Sequence, residues 1–246
     1  MSWHFWVPLN GLPSITGEQE GRRRKSAVSA LTTPLNQRSA PGRFVLYSGT
    51  AMQIALIVLA AYLIGAIPTG VLLTRLAGIG DVRQAGSGNI GATNVYRVAG
   101  RRLGILTLIG DALKGVLPVL VAASVLHLSE TQTAAVAAAA FLGHCYPVYL
   151  GFKGGKGVAT ALGIYLVLSP LAVLGALLVF AAMLWKWRYV SLGSITAAVA
   201  TPVLVLLVEK SLPLFLATLF ISAMVVLRHR VNIERLLNGT ENRFKA

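Results

Sequence analysis

The apolar residues of this chain are gathered into runs that approach the length of a bilayer crossing. A helix rising about 1.5 Å per residue needs about 20 mostly apolar residues to traverse roughly 30 Å of hydrocarbon. Seven runs suit that role: Ile54–Leu76, Gly104–Leu126, Thr133–Leu150, Val158–Leu168, Leu171–Trp185, Leu192–Val208 and Leu214–Leu227. The fourth and fifth are short and parted only by Ser169-Pro170. Proline interrupts a helical hydrogen-bond ladder, so they read as two helices joined by a turn. Lipid offers the backbone no partners, which makes each run a helix. Composition agrees: 55% of the 246 residues are hydrophobic and 12% charged, against about a quarter charged in soluble domains. A water-soluble domain is excluded. The single cysteine, Cys145, excludes an internal disulfide framework and a multi-cysteine metal centre, and four scattered histidines form no His-rich site.

Charge sets the orientation. There are 22 Lys and Arg against 8 Asp and Glu, a net +14. Arg75, Arg83, Arg97, Arg101 and Arg102 follow the first run, Lys153 and Lys156 the third, Lys186 and Arg188 the fifth. Arg228, Arg230, Arg235, Arg243 and Lys245 follow the seventh. The alternate connections are nearly bare, with only Lys210 between Glu209 and Pro213. Basic loops mark the cytoplasmic side. The predicted class is an all-α polytopic bundle of seven transmembrane helices, with re-entrant or partly helical cytoplasmic loops and the N-terminus outside. The polar stretch before the first run, with Arg22, Arg23, Arg24, Lys25, Arg38 and Arg43, opposes that orientation. Its composition is that of a disordered segment, and it lacks the apolar core of a signal peptide. Taking Met52 as the physiological start removes the conflict: residues 1–51 are then a mis-assigned extension and 52–246 the membrane domain.

The unusual polar residues fall on the basic side. Gly86-Ser87-Gly88-Asn89-Ile90-Gly91 leads into Ala92-Thr93-Asn94-Val95-Tyr96-Arg97. Closely spaced glycines let a backbone turn its amides inward as an anion nest, and Arg97 adds a fork that matches phosphate. The stretch satisfies G-x-G-x-x-G, but no βαβ unit surrounds it, so a dinucleotide fold is rejected. An ordinary glycine-rich turn is the plainer alternative. A second cluster, Gly143-His144-Cys145-Tyr146-Pro147 and then Phe152-Lys153-Gly154-Gly155-Lys156-Gly157, sets two lysines among glycines at a helix start. Those lysines could equally anchor helices at the headgroups. A third is Arg188-Tyr189-Val190-Ser191-Leu192-Gly193-Ser194, whose serines either share a helix face or bond the preceding turn. The tail supplies His229, Asn232 and Glu234, over the inner mouth or on an amphipathic helix against anionic lipid.

Asp111 and Lys114 stand three apart within the second run. An unpaired charge there costs roughly 2.5–3.5 kcal/mol, so they read as an inward ion pair supporting the loop that carries Arg97. Inner-side carboxylates are few (Asp81, Asp111, Glu234, Glu241) and never at metal-ligand spacing, which argues against a magnesium-dependent phosphotransferase. No nucleophile elbow or Ser-His-Asp arrangement stands out. A metal-free, cationic, hydroxyl- and amide-rich pocket at the lipid boundary remains, suited to phosphorylated reactants of which one is a lipid.

GSGNIGATNVYR, DALKG, GHCYPVYLGFKGGKGVAT, RYVSLGSI and HRVNIERLLNGTE, in that order, resemble the motifs of the bacterial acyl-phosphate:glycerol-3-phosphate acyltransferases, the PlsY family, over about Ile54 to Glu241. The resemblance implies a seven-helix inner-membrane enzyme with its site toward the cytoplasm. It implies acyl transfer from acyl phosphate to the 1-hydroxyl of sn-glycerol 3-phosphate, giving lysophosphatidate and inorganic phosphate in the first committed step of phospholipid synthesis. By similarity Ser87, Arg97, Lys156, His229 and Asn232 would be catalytic. Gly86, Gly88, Asn89, Thr93, Asn94, Arg101, Lys114, Lys153, Gly154, Gly155, Ser194 and Glu234 would bind substrate. No metal and no cofactor are implied. The partners would be the two substrates, membrane lipid and, transiently, the enzyme that forms the acyl phosphate; no nucleic acid is expected. The resemblance further suggests that a substrate phosphate takes the hydroxyl proton, with His144 and His229 as alternative bases. An anion transporter would place such residues near the midplane, and a non-catalytic scaffold would not need four dense motifs.

Overall fold

The computed structural model describes residues 41–244, and the fold below is that of the unit Ala51–Ala246. Its helices are α1 (Pro41–Gly65), α2 (Thr69–Leu76), α3 (Ala92–Leu120), α4 (Glu130–Cys145), α5 (Val158–Leu168), α6 (Pro170–Trp187), α7 (Val190–Glu209), α8 (Leu212–Arg228) and α9 (Arg230–Leu237). Short 3₁₀ turns at Val82–Gln84 and Val148–Leu150 punctuate the loops, and a π-helical turn, Val121–Val125, extends α3. α1 already runs through Met52, so residues 41–51 are helical. The disorder expected of residues 1–40 falls outside the described residues.

Four helical segments are long and apolar enough to cross a membrane: α3 with its extension, α4 with the turn after it, α6 and α7. Two more crossings arise if the bent pairs α1–α2 (42°) and α8–α9 (55°) each count as one. α5 is apolar but only 11 residues long. The seven runs of the sequence fall on the α1–α2 pair, α3, α4, α5, α6, α7 and the α8–α9 pair, and α5 is the one too short to count by length. Within the first run, α1 ends at Gly65 and α2 begins after Pro68, although apolar residues continue through Leu76. Without an N–H, Pro68 cannot continue the ladder. The Ile67 carbonyl at the break accepts a 2.9 Å bond from Lys114 Nζ.

Helices in lipid gain little from the hydrophobic effect between themselves and pack through small residues. At the α3–α5 crossing, a Cβ at Gly115 would strike the Thr160 carbonyl, and one at Gly163 the Ala112 carbonyl. The contact is reciprocal, backbone on backbone. The interior around it is apolar: Phe141, Ile164, Val205 and Ile221 are buried together. The outer face keeps its leucines exposed, with Leu171 at 68% and Leu207 at 69%, as a lipid-facing surface does.

The expected Asp111–Lys114 pair forms inside this bundle, at 2.9 Å with both side chains buried. Thr160 Oγ1 donates to the Asp111 carbonyl at 2.9 Å, and His144 Nδ1 lies 3.8 Å from the Asp111 carboxylate. α3, α4, α5 and the α1–α2 break are thereby tied at one level. Two of the three Lys114 donors are thus engaged, by Asp111 and the Ile67 carbonyl.

Candidate active site

The glycine-rich loop before α3 is built around one side chain. Asn94 is buried, and its Nδ2 donates to the carbonyls of Val82, Ala85 and Asn89 at 3.2, 3.1 and 2.9 Å. Its Oδ1 accepts the Ser87 amide at 2.8 Å. Gly86 and Gly88 hold φ of +62° and +70°, which side-chain-bearing residues rarely adopt. Asn89 turns its Oδ1 to the Gly91 amide at 2.9 Å. Asn94 and Asn89 therefore shape the loop with the polar atoms that the sequence assigns to substrate. Ser87, Arg97 and Arg101 are exposed and Thr93 half-buried. None of their side chains is hydrogen-bonded among the described residues, so they remain available to a ligand.

Beside the loop, Arg83 grips Asp81 through Nη2 at 2.6 Å and Nε at 2.9 Å, and Arg75 reaches the same carboxylate at 2.8 Å. Chiefly the Arg83 hydrogen bond holds Asp81 far below the usual carboxylate range. An open cavity of about 510 Å³ adjoins this cluster, lined by Arg83, Gly88, Phe152, Lys153 and Arg228 among others. Lys153 is exposed there.

The second cluster is folded by contacts from distant helices. A Cβ at Gly154 would strike the His144 carbonyl, and one at Gly155 the His144 ring. The two glycines are thus demanded by close packing over α4. Gly155 donates its amide to the His144 carbonyl at 3.1 Å. Arg228, at the end of α8, donates Nε to the Gly155 carbonyl at 3.0 Å and Nη2 to that of Gly154 at 2.7 Å. Its guanidinium also lies 5.2 Å from the Tyr146 ring centroid. So pinned, the loop delivers Lys156 Nζ to Asn232 Oδ1 on α9 at 2.5 Å. Burial pushes the Lys156 ammonium down to about 8, with Arg235, Arg97 and Arg228 adding to the fall and Glu241 opposing it. A cation held near its titration point wants a counter-anion, and a phosphate dianion would provide one.

His229 is buried at the α8–α9 bend, and its Nδ1 donates to the Val225 carbonyl at 2.7 Å. Burial and the nearby Lys156 push this imidazole down to about 4. At neutral pH it is uncharged, and its Nε2 is the acceptor nitrogen. Asn232 Nδ2 donates to Glu241 Oε1 at 2.8 Å, and Ser191 Oγ donates to the same oxygen at 2.9 Å. Ser194 bonds its own preceding turn, donating to the Val190 carbonyl at 2.9 Å.

Lys156, His229, Asn232 and the charge of Arg97 are thus brought to one place. Ser87 lies in the loop that leads into α3, and Thr93 and Arg101 lie on α3 with Arg97, Arg101 just past the break at Gly100 (φ +85°). The tail carries two acids. Glu234 is exposed; two residues along a helix turn it about 200° away from Asn232. The carboxylate that meets Asn232 belongs to Glu241. Arg228 and Glu241 are the residues that sequence reasoning did not place in the site. The signals for Glu241 were its place at the end of the HRVNIERLLNGTE motif and as an acid in a basic tail.

Residues 55–239 match a family model described as glycerol-3-phosphate acyltransferase. The chain is 70% identical over 191 residues to a glycerol-3-phosphate acyltransferase of Syntrophotalea carbinolica, covering 78% of this chain and 97% of that protein. It is 60% identical over 189 residues to one of Geotalea daltonii, covering 77% and 96%. A crystal structure of PlsY, an integral membrane glycerol 3-phosphate acyltransferase, in its glycerol 3-phosphate form superposes with a TM-score of 0.75. Identity is 41%, over 78% of this chain and 96% of that one. The lysophosphatidic acid form gives 0.73.

Proposed function

We propose that this chain, which belongs to the glycerol-3-phosphate acyltransferase family, takes its acyl group from an acyl phosphate and transfers it to the 1-hydroxyl of sn-glycerol 3-phosphate. It is a multi-pass membrane acyltransferase of the PlsY type. Seven crossings with an outside N-terminus, in a bacterial inner membrane and with the site facing the cytoplasm, are the topology that its alternating basic loops support.

An acyl phosphate is a mixed anhydride: its carbonyl is activated and phosphate is a good leaving group. The hydroxyl oxygen attacks the carbonyl carbon, the bond from that carbon to the phosphate oxygen breaks, and the hydroxyl proton leaves with inorganic phosphate. No strong enzymic base is required, and the neutral His229 is suited to hold a hydroxyl by its free nitrogen. The protein's tasks are placement, which can supply several kcal/mol, and neutralisation of two phosphates and an oxyanion. Lys156 and Arg97 would bind phosphate, Ser87 and Thr93 would donate hydroxyls, and Arg101 would reach glycerol 3-phosphate. No metal or cofactor enters this scheme.

The observation that carries the reading is the 2.5 Å contact of Lys156 with Asn232, 76 residues apart, within the field of Arg97. Three separated motifs converge where two anionic reactants would meet. The solved relatives in glycerol 3-phosphate and lysophosphatidic acid forms support the same substrate and product. The assay mixes purified protein with palmitoyl phosphate and labelled glycerol 3-phosphate, without magnesium or coenzyme A. Lysophosphatidate is expected. A folded preparation that forms none, yet forms it from acyl-coenzyme A, would reassign the donor.

A further inference from the structure

We propose that Glu241, in the C-terminal tail, is a positioning residue of the acyl-transfer site, orienting the Asn232 amide and supporting the Lys156 ammonium opposite the substrate phosphate. The inference rests on the reading above and adds a residue to it. An ammonium can only donate and a carboxylate can only accept. An amide placed between them has one satisfying orientation: oxygen to Lys156, nitrogen to Glu241. Both bonds are present, at 2.5 and 2.8 Å. Without Glu241 the amide loses the partner that forbids its flip, and a flipped Asn232 would present N–H to an ammonium.

The tail is held so that the carboxylate cannot drift. Gly239, at φ +68°, turns the chain off the end of α9, and the Thr240 amide bonds back to the Arg235 carbonyl at 2.8 Å. Farther along, the Phe244 amide donates to the Arg188 carbonyl at 2.6 Å, and Arg243 Nε donates to the Tyr189 hydroxyl at 3.3 Å. The Phe244 ring rests 6.1 Å from that of Tyr96, next to Arg97. Between these anchors Ser191 on α7 donates to Glu241 Oε1 at 2.9 Å.

Charge gives the second argument. Lys156 is faced by Arg97 from α3, Arg228 from α8 and Arg235 from α9, whose charges oppose its protonation, and by the uncharged His229 at the bend. Glu241 is the carboxylate that favours it. Its Oε2 is buried and has no hydrogen-bond partner among the described residues, so that oxygen's charge is balanced through space.

The test follows site-resolved acetylation of Lys156 by acetic anhydride against pH, read by mass spectrometry, alongside KM, kcat and thermal stability of the full chain in detergent. Glu241→Gln should lower the Lys156 midpoint by on the order of one pH unit. It should raise KM for glycerol 3-phosphate roughly tenfold, with a smaller change in kcat. Glu241→Asp should restore most of the midpoint. An unchanged midpoint in a folded Glu241→Gln protein overturns the proposal, as does a Tm loss that accounts for the activity loss while the midpoint stays put. Ser191→Ala loosens the same carboxylate from its other side and serves if Glu241→Gln does not fold. A few-fold higher KM at wild-type Tm supports the proposal, and an unchanged KM overturns it. If wild-type protein forms no lysophosphatidate, the functional reading fails, and the acetylation midpoint still decides the role of Glu241.

Discussion

The glycine-rich loop and the Lys156 cluster serve the same end of the molecule but are built in opposite ways. In the loop, Asn94 finds every partner within 12 residues. In the cluster, Lys156 meets Asn232 across 76 residues, and Ser191 meets Glu241 across 50. A locally wired loop is a preformed cradle whose free groups face outward. A cluster assembled from four elements exists only when the bundle is packed, and it sets the protonation of its own lysine. The contrast separates the damage each region should suffer when altered.

The largest effect should come from the cluster's cation. Lys156→Met should lower kcat/KM by about a thousandfold, on the scale of losing a preorganised charged donor, with Tm unchanged or raised because an unfavourably buried ammonium is gone. A fall in Tm of more than a few degrees would make Lys156 a structural residue. Next is the loop's organiser. Asn94→Ala leaves the Asn89 carbonyl and the Ser87 amide without their partner, while the Val82 and Ala85 carbonyls keep the Ala85 and Gly88 amides; an unmet buried group costs about 1–3 kcal/mol. Activity should drop about a hundredfold together with local order, read as faster hydrogen exchange over residues 82–94. Activity loss without faster exchange would show that Asn94 binds substrate directly.

A milder change probes titration. The Lys156 ammonium is the form that binds a dianion, and it is lost as pH rises through about 8. The kcat/KM profile should therefore have an alkaline limb near that pH, because kcat/KM reports the free enzyme. Bound phosphate raises the lysine, so the limb in kcat should lie higher. Lys156→Arg should move the limb upward by two units or more, since a guanidinium does not titrate there, with roughly tenfold lower activity from altered geometry. A limb that stays in place belongs to another group. The smallest effect should be that of Glu234→Ala, under about twofold in KM, since an exposed side chain turned from Asn232 contributes little. A tenfold rise in KM would restore Glu234 to the site.

The membrane class, the basic face and the family were legible because they rest on local quantities: apolar run length, loop charge and short ordered motifs. The break inside the first run was not. Ile54–Leu76 looks continuous because the residues around Pro68 are apolar, yet the helix stops there, and Lys114 donates to the Ile67 carbonyl at the break. Lys114 illustrates a second limit. Its spacing from Asp111 showed an ion pair, but its bond to Ile67 depends on how α1 meets α3. Gly154 and Gly155 looked like part of an anion site at a helix start, and packing against His144 requires them as well.

From its sequence alone, this protein was bound to be a helical membrane protein with basic alternate loops, since burying apolar runs in lipid and keeping charge out of it are decided residue by residue. The acyltransferase family was legible only through the resemblance of its ordered motifs. Tertiary structure decided which groups in the motifs face a ligand and which hold the loops, and it chose Glu241 over Glu234 as the acid beside Asn232. The physical reason is that a hydrogen bond depends on distance and direction in space. Neither follows from position along a chain until the helices have packed.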